Sequence, residues 1–583
     1  MSISNDIFKV PIYYNEQTTA LDKHIIKDLE LIETMDPSAC EPLLHYAYKP
    51  SSKLGKQVVE QLSQQYTTDS KFLEETQSFL QKYVAVPSLS LKEKDSIIGL
   101  WDEIKQDTGF KEKYQYIDWS MWEYLNKSDY FLQLMSMYNL ASPVISLCVP
   151  FIILIIPFFV IQIKGLKISI GEYIDVLKQI AANHAIGKLF TKFHSVKLDE
   201  KIYILLSAAF YMFSIYQNIL TCVRFHQNMT KIHAYLSEVS NYIQQTETIS
   251  EYLLSYTSKL STYKEFNRAM QEKVAVLSAF KKQLDIITPY CLSYKKVGGL
   301  GHVLKQFYDL YQDPTYHEAF LYSFGFHGYI EAIDGLTQNI QKKHIHMAKI
   351  VSIEHHSKNK NNKKQKKRHT QLKDVYYPAL IDKNPIKNSF LLKKHMTITG
   401  PNASGKTTIL KTALINLIMT QQVGCGFYKS ATITPYKHFH CYLNIPDTSG
   451  RDSLFQAEAR RCKEILDCIQ ENDLKERHFC VFDELYSGTN PEEAVSSAYA
   501  FMKYLIQYKQ VDCMLTTHFL QVCEKLEEHN SVQNCHMDTI NVKDDFTYTY
   551  MLKKGISRVR GGVRVLLDMD YPKQIIEDSL KRT

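Results

Sequence analysis

The residues best suited to chemistry lie in the last third of the chain. Gly400-Pro401-Asn402-Ala403-Ser404-Gly405-Lys406-Thr407 fits the G-x-x-x-x-G-K-[ST] phosphate-loop pattern at every fixed position. A short apolar run from Met396 enters the loop, and a helical run from Ile409 to Ile418 leaves it. The chemistry needs that context, because such a loop aims backbone N–H groups and a helix N-terminus at phosphate oxygens. Gly400 and Gly405 permit the backbone geometry, and Lys406 meets the β and γ phosphates. Thr407 offers a hydroxyl to Mg²⁺, and Thr408 continues the nucleotide-binding stretch.

Two further strands end in reactive groups. Phe479 to Glu484 reads as a buried strand closing on an acid pair. Asp483 suits Mg²⁺, usually through water, and Glu484 can polarise the water that attacks a γ-phosphate. Met514 to His518 is a second apolar strand, placing His518 where it can sense that phosphate. Between loop and acids, Asp447 to Glu458 reads as a Ser-Gly turn capping a helix that runs through Ile469. Ser449 and Gly450 in that turn can present a hydroxyl and an N–H group to a phosphate.

These strands require a larger frame. A chain of 583 residues exceeds one core and implies two to four domains. Hydrophobic content of 45 % with 22 % charged residues describes a folded protein. The net charge of +7 permits an acidic partner without demanding one. The twelve cysteines show no C-x-x-C pair and no zinc-like spacing, and they read as reduced, buried thiols of a cytosolic compartment. Residues 1–13 carry charges and lack the apolar core of a signal peptide.

In chain order, 1–57 reads as an N-terminal helical segment broken by Pro37, Pro42 and Pro50. Residues 58–138 form the first part of a helical core, with Asp69 in a capping position. Residues 139–224 follow as a predicted transmembrane hairpin with spans at about 143–163 and 202–223. Tyr130 to Ile163 is free of charge and exceeds the ~20 residues that cross a bilayer. Pro143, Pro150 and Pro157 recur every seven residues, which neighbouring helices in a membrane tolerate. Two buried helices of a large soluble core are the alternative. The segment between the runs carries seven lysines against four acids, so the positive-inside rule places it in the cytoplasm, where a nucleotide domain also belongs. Either the rule fails, or one run is re-entrant or lies on the surface. Residues 225–343 return to amphipathic helices. Residues 344–374 are a basic linker that suits phosphates of nucleic acid or lipid, or is a solvated loop.

About residues 325–583 resemble the MutS mismatch-repair ATPases, relatives of the ABC-type ATPases, with 375–583 as the ATPase domain. The Gly-Pro-Asn opening of the loop is similar to theirs, as are Asp483-Glu484-Leu-Tyr-Ser-Gly488-Thr489 and Thr516-Thr517-His518. Tyr377-Pro378, Lys387-Asn388, Ile333-Asp334-Gly335-Leu336 and the segment from Gly555 to Tyr571-Pro572 also resemble family positions. The resemblance implies ATP and Mg²⁺ as cofactors, with Thr407 and Asp483 on the metal, Glu484 as catalytic carboxylate and His518 as γ-phosphate sensor. It implies Ser449 and Gly450 acting in trans across a homodimer, with Tyr377 or Phe390 stacking on adenine. DNA is a partner by resemblance alone. The departures are equally specific. No counterpart of the mismatch-recognition domain with its Phe-x-Glu wedge precedes Lys53, and Phe110-Lys111-Glu112 reads as a coincidence of letters. The clamp between the lever helices is replaced by the two apolar runs. The family's Gly-Arg after the acid pair is Tyr486-Ser487 here.

The expectation is an α/β P-loop ABC-type ATPase domain at the C-terminus, preceded by an all-α core or lever region containing the hairpin. Such a chain would be a MutS-like ATPase working in DNA mismatch binding or repair. Its place would be a membrane, with the ATPase domain on the cytoplasmic side. The alternative is a membrane-anchored ATPase that tethers, remodels or transports. A soluble repair protein whose apolar runs are core is the third reading.

Overall fold

The computed structural model describes residues 7–38, 40–85, 90–163, 165, 169–183, 188, 197–288, 297–352, 370–443, 453–472, 476–542, 545–559, 566–567 and 569–581. The chain forms two compact units. One comprises Met1–Leu91, Thr248–Lys273 and Leu321–Thr583, and the other Lys92–Glu247 and Val274–Phe320.

In the N-terminal segment the pair β1 (Thr18–Ala20) and β2 (Gln65–Thr67) is antiparallel, among helices α1 (Lys23–Asp28), α2 (Leu43–Tyr48), α3 (Lys53–Ser63) and α4 (Ser70–Lys82). Asp69 caps α4 by accepting from the amides of Lys71 and Phe72, as its sequence position predicts. The helical middle of the chain supplies α5 (Leu91–Gln106), α6 (Phe110–Lys113), α7 (Asp129–Ile163), α8 (Ile170–Asn183), α9 (Leu198–Thr257), α10 (Lys264–Leu284), α11 (Leu300–Gln312) and α12 (Pro314–Gln341).

Two sheets follow. A five-stranded sheet contains β3 (His346–Ile350), β4 (Thr370–Val375), β5 (Asn388–Leu392), β7 (Cys425–Gly426) and β8 (Ser430–Ile433), in the order β5-β4-β8-β3-β7. A six-stranded sheet contains β6 (His395–Thr399), β9 (His438–Tyr442), β10 (His478–Asp483), β11 (Val511–Thr516), β12 (Val532–Val542) and β13 (Asp545–Lys554), in the order β13-β12-β6-β11-β10-β9. Its five strands from β12 to β9 run parallel, and β13 is antiparallel. Helices α13 (Lys406–Val423), α14 (Leu454–Glu471), α15 (Pro491–Leu505), α16 (Leu520–Glu527) and α17 (Lys573–Lys581) complete this part.

The near-continuous apolar reading of β6, β10 and β11 follows from burial on both faces of a parallel sheet. Every residue of β6 is buried. The register pairs Asp483 with Thr516 and Thr516 with Ile398, so these three strands end side by side. In open α/β sheets that carboxyl edge is where ligands bind.

Helix α13 leaves β6 and is buried nearly all round, including its polar residues. Buried amides need partners, and here they find backbone carbonyls. Gln421 Nε2 donates to the carbonyls of Thr67 and Tyr436, and Gln422 Nε2 to those of Leu62 and Gln65. Gln77 Nε2 reaches Ala348 O at 2.8 Å and Gly424 O at 2.6 Å. The N-terminal segment is therefore stitched into the same unit as the sheets.

The other unit is helical with an aromatic core. Phe110 is buried and stacks on Tyr311 with ring centroids 4.0 Å apart, while Lys111 pairs with Asp118 and Glu123. Phe110-Lys111-Glu112 is thus core and salt bridge, consistent with a coincidence of letters. Helix α7 runs 35 residues through Pro143, Pro150 and Pro157. Helix α9 continues for 60 residues without a break at Arg224, so the second apolar run and the amphipathic stretch behind it form one helix. The two helices meet where Tyr211 donates to Ser146 O at 3.1 Å and Asn218 to Ser146 Oγ.

Among the described residues, two stretches are long and apolar enough to cross a membrane, Asp129–Cys148 and Leu198–Thr257. Only 22 % and 6 % of their apolar windows is buried. Val144, Ile156, Phe159, Leu206, Phe210 and Phe213 are each more than half exposed. Both helices thus carry exposed apolar side chains along these stretches.

Candidate nucleotide site

The site is built where β6, β10 and β11 end. Between Thr399 and α13 the chain turns through Gly400, with φ of 156°, and Gly405, with φ of 92°. A Cβ on Gly400 would stand 2.9 Å from Ser404 Oγ and 3.1 Å from Met537 Cβ, so the turn requires glycine there. Ala403 holds a left-handed φ of 59°, which a non-glycine residue adopts only when its surroundings impose it.

Lys406, at the first turn of α13, is 6 % exposed, and its Nζ donates to Gly400 O at 3.2 Å and Pro401 O at 3.1 Å. The ammonium thus curls back over the loop it would serve. Burial pushes its pKa down, opposed by the charges of Glu484 and Asp483. Ser404 Oγ is buried without a hydrogen-bond partner among the described residues. Thr407 Oγ1 donates to Asp483 Oδ2 at 2.7 Å, and Thr516 Oγ1 donates to Asp483 Oδ1.

Glu484 follows in a left-handed conformation with φ of 53°, its amide donating to Thr516 O at 3.0 Å. That turn aims its carboxylate back across the strand ends. Glu484 Oε1 lies 2.7 Å from His518 Nε2 and 3.9 Å from Lys406 Nζ. The hydrogen bond from His518 holds the Glu484 carboxyl below the usual glutamate range, outweighing burial, with Lys406 adding to the effect. Lys406 Nζ is also 3.3 Å from His518 Nε2. Lys406, Thr407, Asp483, Glu484 and His518 therefore form one contiguous cluster.

A cleft of about 590 Å³ opens beside the loop, lined by Asn402, Ala403, Gly405, Thr407, Thr408 and Glu484 among others. That volume is within the ~300–1,000 Å³ range of small-molecule sites. Of the two adenine candidates, Tyr377 lines the cleft. Phe390 is buried in β5 and does not line it. Ser449 and Gly450 lie outside the described residues.

Sequence reasoning missed Ile386, Met537 and Tyr550, all of which line the cleft. Asn388 sets their frame. Its Nδ2 donates to Tyr550 O at 3.0 Å, and its Oδ1 accepts from the amide of Leu552 at 2.7 Å, tying β5 to β13. Such a contact between residues some 160 positions apart leaves no local signature. Beyond the acids, Tyr486 is buried against Phe455 and Phe501. Ser487 Oγ and the amide of Gly488 each donate to Glu458 at 3.3 Å, which fastens the post-acid loop to α14. Helix α14 is capped by Ser453, in a reciprocal capping box with Gln456, and not by the Ser449-Gly450 turn that the sequence suggested.

Fold and site together define a class: an α/β unit whose central parallel strand runs through a glycine-bearing phosphate-type loop into a buried helix, beside an acid pair. Residues 396–583 match the family model of MutS domain V. The chain is similar to the DNA mismatch repair protein Msh3 of Dictyostelium discoideum, at 26 % identity over 41 % of this chain and 18 % of that protein. It is similar to MutS protein homolog 4 of Mus musculus, at 29 % over 32 % of this chain and 19 % of the relative. It is also similar to MutS of Persephonella marina, at 25 % over 36 % and 24 %. The aligned part of the chain spans about a fifth to a quarter of these relatives' length. Both comparisons support a relationship to the MutS family.

Proposed function

We propose that the chain is a MutS-like ATPase that binds ATP on Gly400 to Thr408 and hydrolyses it with Glu484. The observation that carries this reading is the pairing of Lys406 and Glu484 in the lining of a cleft of nucleotide size, with His518 held on Glu484. The Lys406 ammonium, held on two carbonyls, exchanges them for phosphate oxygens, a stronger charge-assisted contact. The unpartnered Ser404 hydroxyl and the loop amides add donors. Glu484, kept ionised by His518, accepts a proton from the attacking water, and His518 fixes the carboxylate's orientation.

Mg²⁺ fits the donor set, since Thr407 Oγ1 and Asp483 Oδ2 are adjacent hard oxygens at 2.7 Å. When bound, the ion would neutralise developing charge on the phosphates. Ser449 and Gly450 complete the site in trans in a homodimer. Closure of two such heads moves the helices of 225–343, and the load is DNA. Turnover of ATP by the full chain, with gel-shift binding of homoduplex and mismatched DNA at stated salt, tests the reading. ATP turnover without any DNA binding favours the second reading.

That second reading is a membrane-anchored ATPase with a tethering, remodelling or transport role. The exposed apolar flanks of α7 and α9 support the membrane placement that it shares with the first reading. Both readings place 143–163 and 202–223 in a membrane with the ATPase part on the cytoplasmic side. Detergent dependence of solubility separates them from a soluble repair protein.

A further inference from the structure

Three histidines gather on the β9–β10 edge of the six-stranded sheet. β9 contributes His438 and His440, and β10 contributes His478, which is in register with His438. The rings of His440 and His478 lie parallel at 7°, with centroids 5.3 Å apart, and His440 Nε2 is 3.0 Å from His478 Nδ1. Cys468, from the last turns of α14, closes the group. One ring nitrogen from each of the two histidines and the Cys468 sulfur all lie within 4.8 Å of one another.

The arrangement leaves a polar atom unexplained. His478 is fully buried, and its Nε2 has no hydrogen-bond partner among the described residues. Such an orphan is destabilising, because the ring nitrogen has given up water without gaining a partner. His438 offers no relief, because its own Nε2 is held by Glu476 at 2.8 Å while its ring stacks on His478 at 4.6 Å.

We infer that His440, His478 and Cys468 form a site for a borderline-soft divalent transition-metal ion of the Zn²⁺ type. Thiolate and imidazole select such an ion over Mg²⁺, which takes oxygen ligands. Three protein ligands leave one tetrahedral position for water. Binding forms a metal–sulfur bond as the Cys468 S–H proton passes to solvent, one proton per ion. Asn472 supports the sulfur, its Nδ2 donating to Cys468 Sγ at 3.3 Å and to Cys468 O at 2.6 Å. Outer-shell donors of this kind orient metal ligands.

The site is separate from the Thr407–Asp483 pair. His478 and Asp483 stand at opposite ends of β10, five residues or about 16 Å apart. An ion here would staple the end of α14 to β9 and β10. The same helix carries Glu458, which holds the loop after the acid pair. The ion's role is thus to fix the helix whose Glu458 holds the acid-pair loop.

The test uses the full chain, stripped with chelator and titrated with Co²⁺ in excess Mg²⁺. One equivalent should bind with a thiolate-to-cobalt charge-transfer band and four-coordinate d–d bands, both displaced by Zn²⁺. Cys468→Ser should abolish the charge-transfer band, and His478→Gln and His440→Gln should each weaken binding more than about tenfold. Asn472→Ala should keep the band while weakening affinity about tenfold. If a ligand variant loses its far-UV circular dichroism, protection of Cys468 against alkylation by Zn²⁺ in the unmutated protein, read by peptide mass, decides. A missing charge-transfer band, a band that survives Cys468→Ser, or unprotected Cys468 overturns the site.

Discussion

Glu484→Gln is the substitution whose consequences the geometry constrains most tightly. The amide keeps the size of the carboxylate and an oxygen that can accept from His518 Nε2 across 2.7 Å, so the local packing survives. It cannot take a proton from water. General-base catalysis contributes about 10²–10⁴-fold, or roughly 3–5 kcal/mol of barrier, and this is the loss expected in the rate of phosphate release. Binding moves the other way. The carboxylate lies 3.9 Å from Lys406 Nζ and competes with phosphate for it. Because Glu484 is 39 % exposed, that ion pair is screened and contributes at most about 1 kcal/mol. Nucleotide affinity should therefore hold, or rise by up to about fivefold. The assay pairs steady-state phosphate release with equilibrium binding of a fluorescent ATP analogue in Mg²⁺. Turnover in the wild-type range would refute the base assignment. Loss of binding together with turnover would place Glu484 in ground-state recognition instead.

The depressed pKa of Glu484 puts its acid limb of activity below the ordinary value of 4.5, since the ionised form persists until pH falls through the folded value; His518→Ala removes the largest cause, so a pH–rate profile should show that limb moving upward. Burial raises the Asp28 carboxyl from 3.8 to about 6 despite a hydrogen bond from Cys441. The folded state then binds the extra proton, so stability should fall as pH rises through that window, and Asp28→Asn should flatten this dependence and raise the unfolding free energy at neutral pH, read from urea denaturation, by about 1–2 kcal/mol after discounting for partial exposure. Ile155→Lys with Phe210→Lys places charge on the exposed apolar flanks of α7 and α9. At about 2.5–3.5 kcal/mol per lysine at a span centre, this should shift the chain from the membrane to the soluble fraction, and unchanged fractionation would count against the hairpin.

The parts of the site that were legible in the sequence are those written locally. Met396 to Ile418 encodes strand, loop and helix without interruption, and Phe479 to Glu484 encodes a buried strand ending in acids. Caps were legible for the same reason, as Asp69 shows. What stayed hidden depends on distant pairing. Gln421, Gln422 and Gln77 look like surface amides in the sequence, yet they stitch residues 62–77 to the end of α13. Asn388 and Tyr550 meet only because β5 and β13 converge. The His440–Cys468–His478 group draws one residue from each of three elements, so it has no spacing that a motif search could find. Tyr377 and Phe390 are both aromatic residues ahead of the loop, and only the folded cleft shows that Tyr377 is the one lining it.

The central claim is that the chain binds a nucleotide triphosphate on the loop from Gly400 to Thr407. The most direct measurement is the affinity of the full chain for Mg²⁺–ATP, with and without Lys406→Ala. Each charge-assisted contact to phosphate contributes about 1.5–3 kcal/mol, so loss of the ammonium should weaken binding by more than about tenfold. The account predicts saturable binding in the unmutated chain and that loss in the variant. Undiminished affinity in Lys406→Ala, or no saturable binding in the unmutated chain, would contradict it.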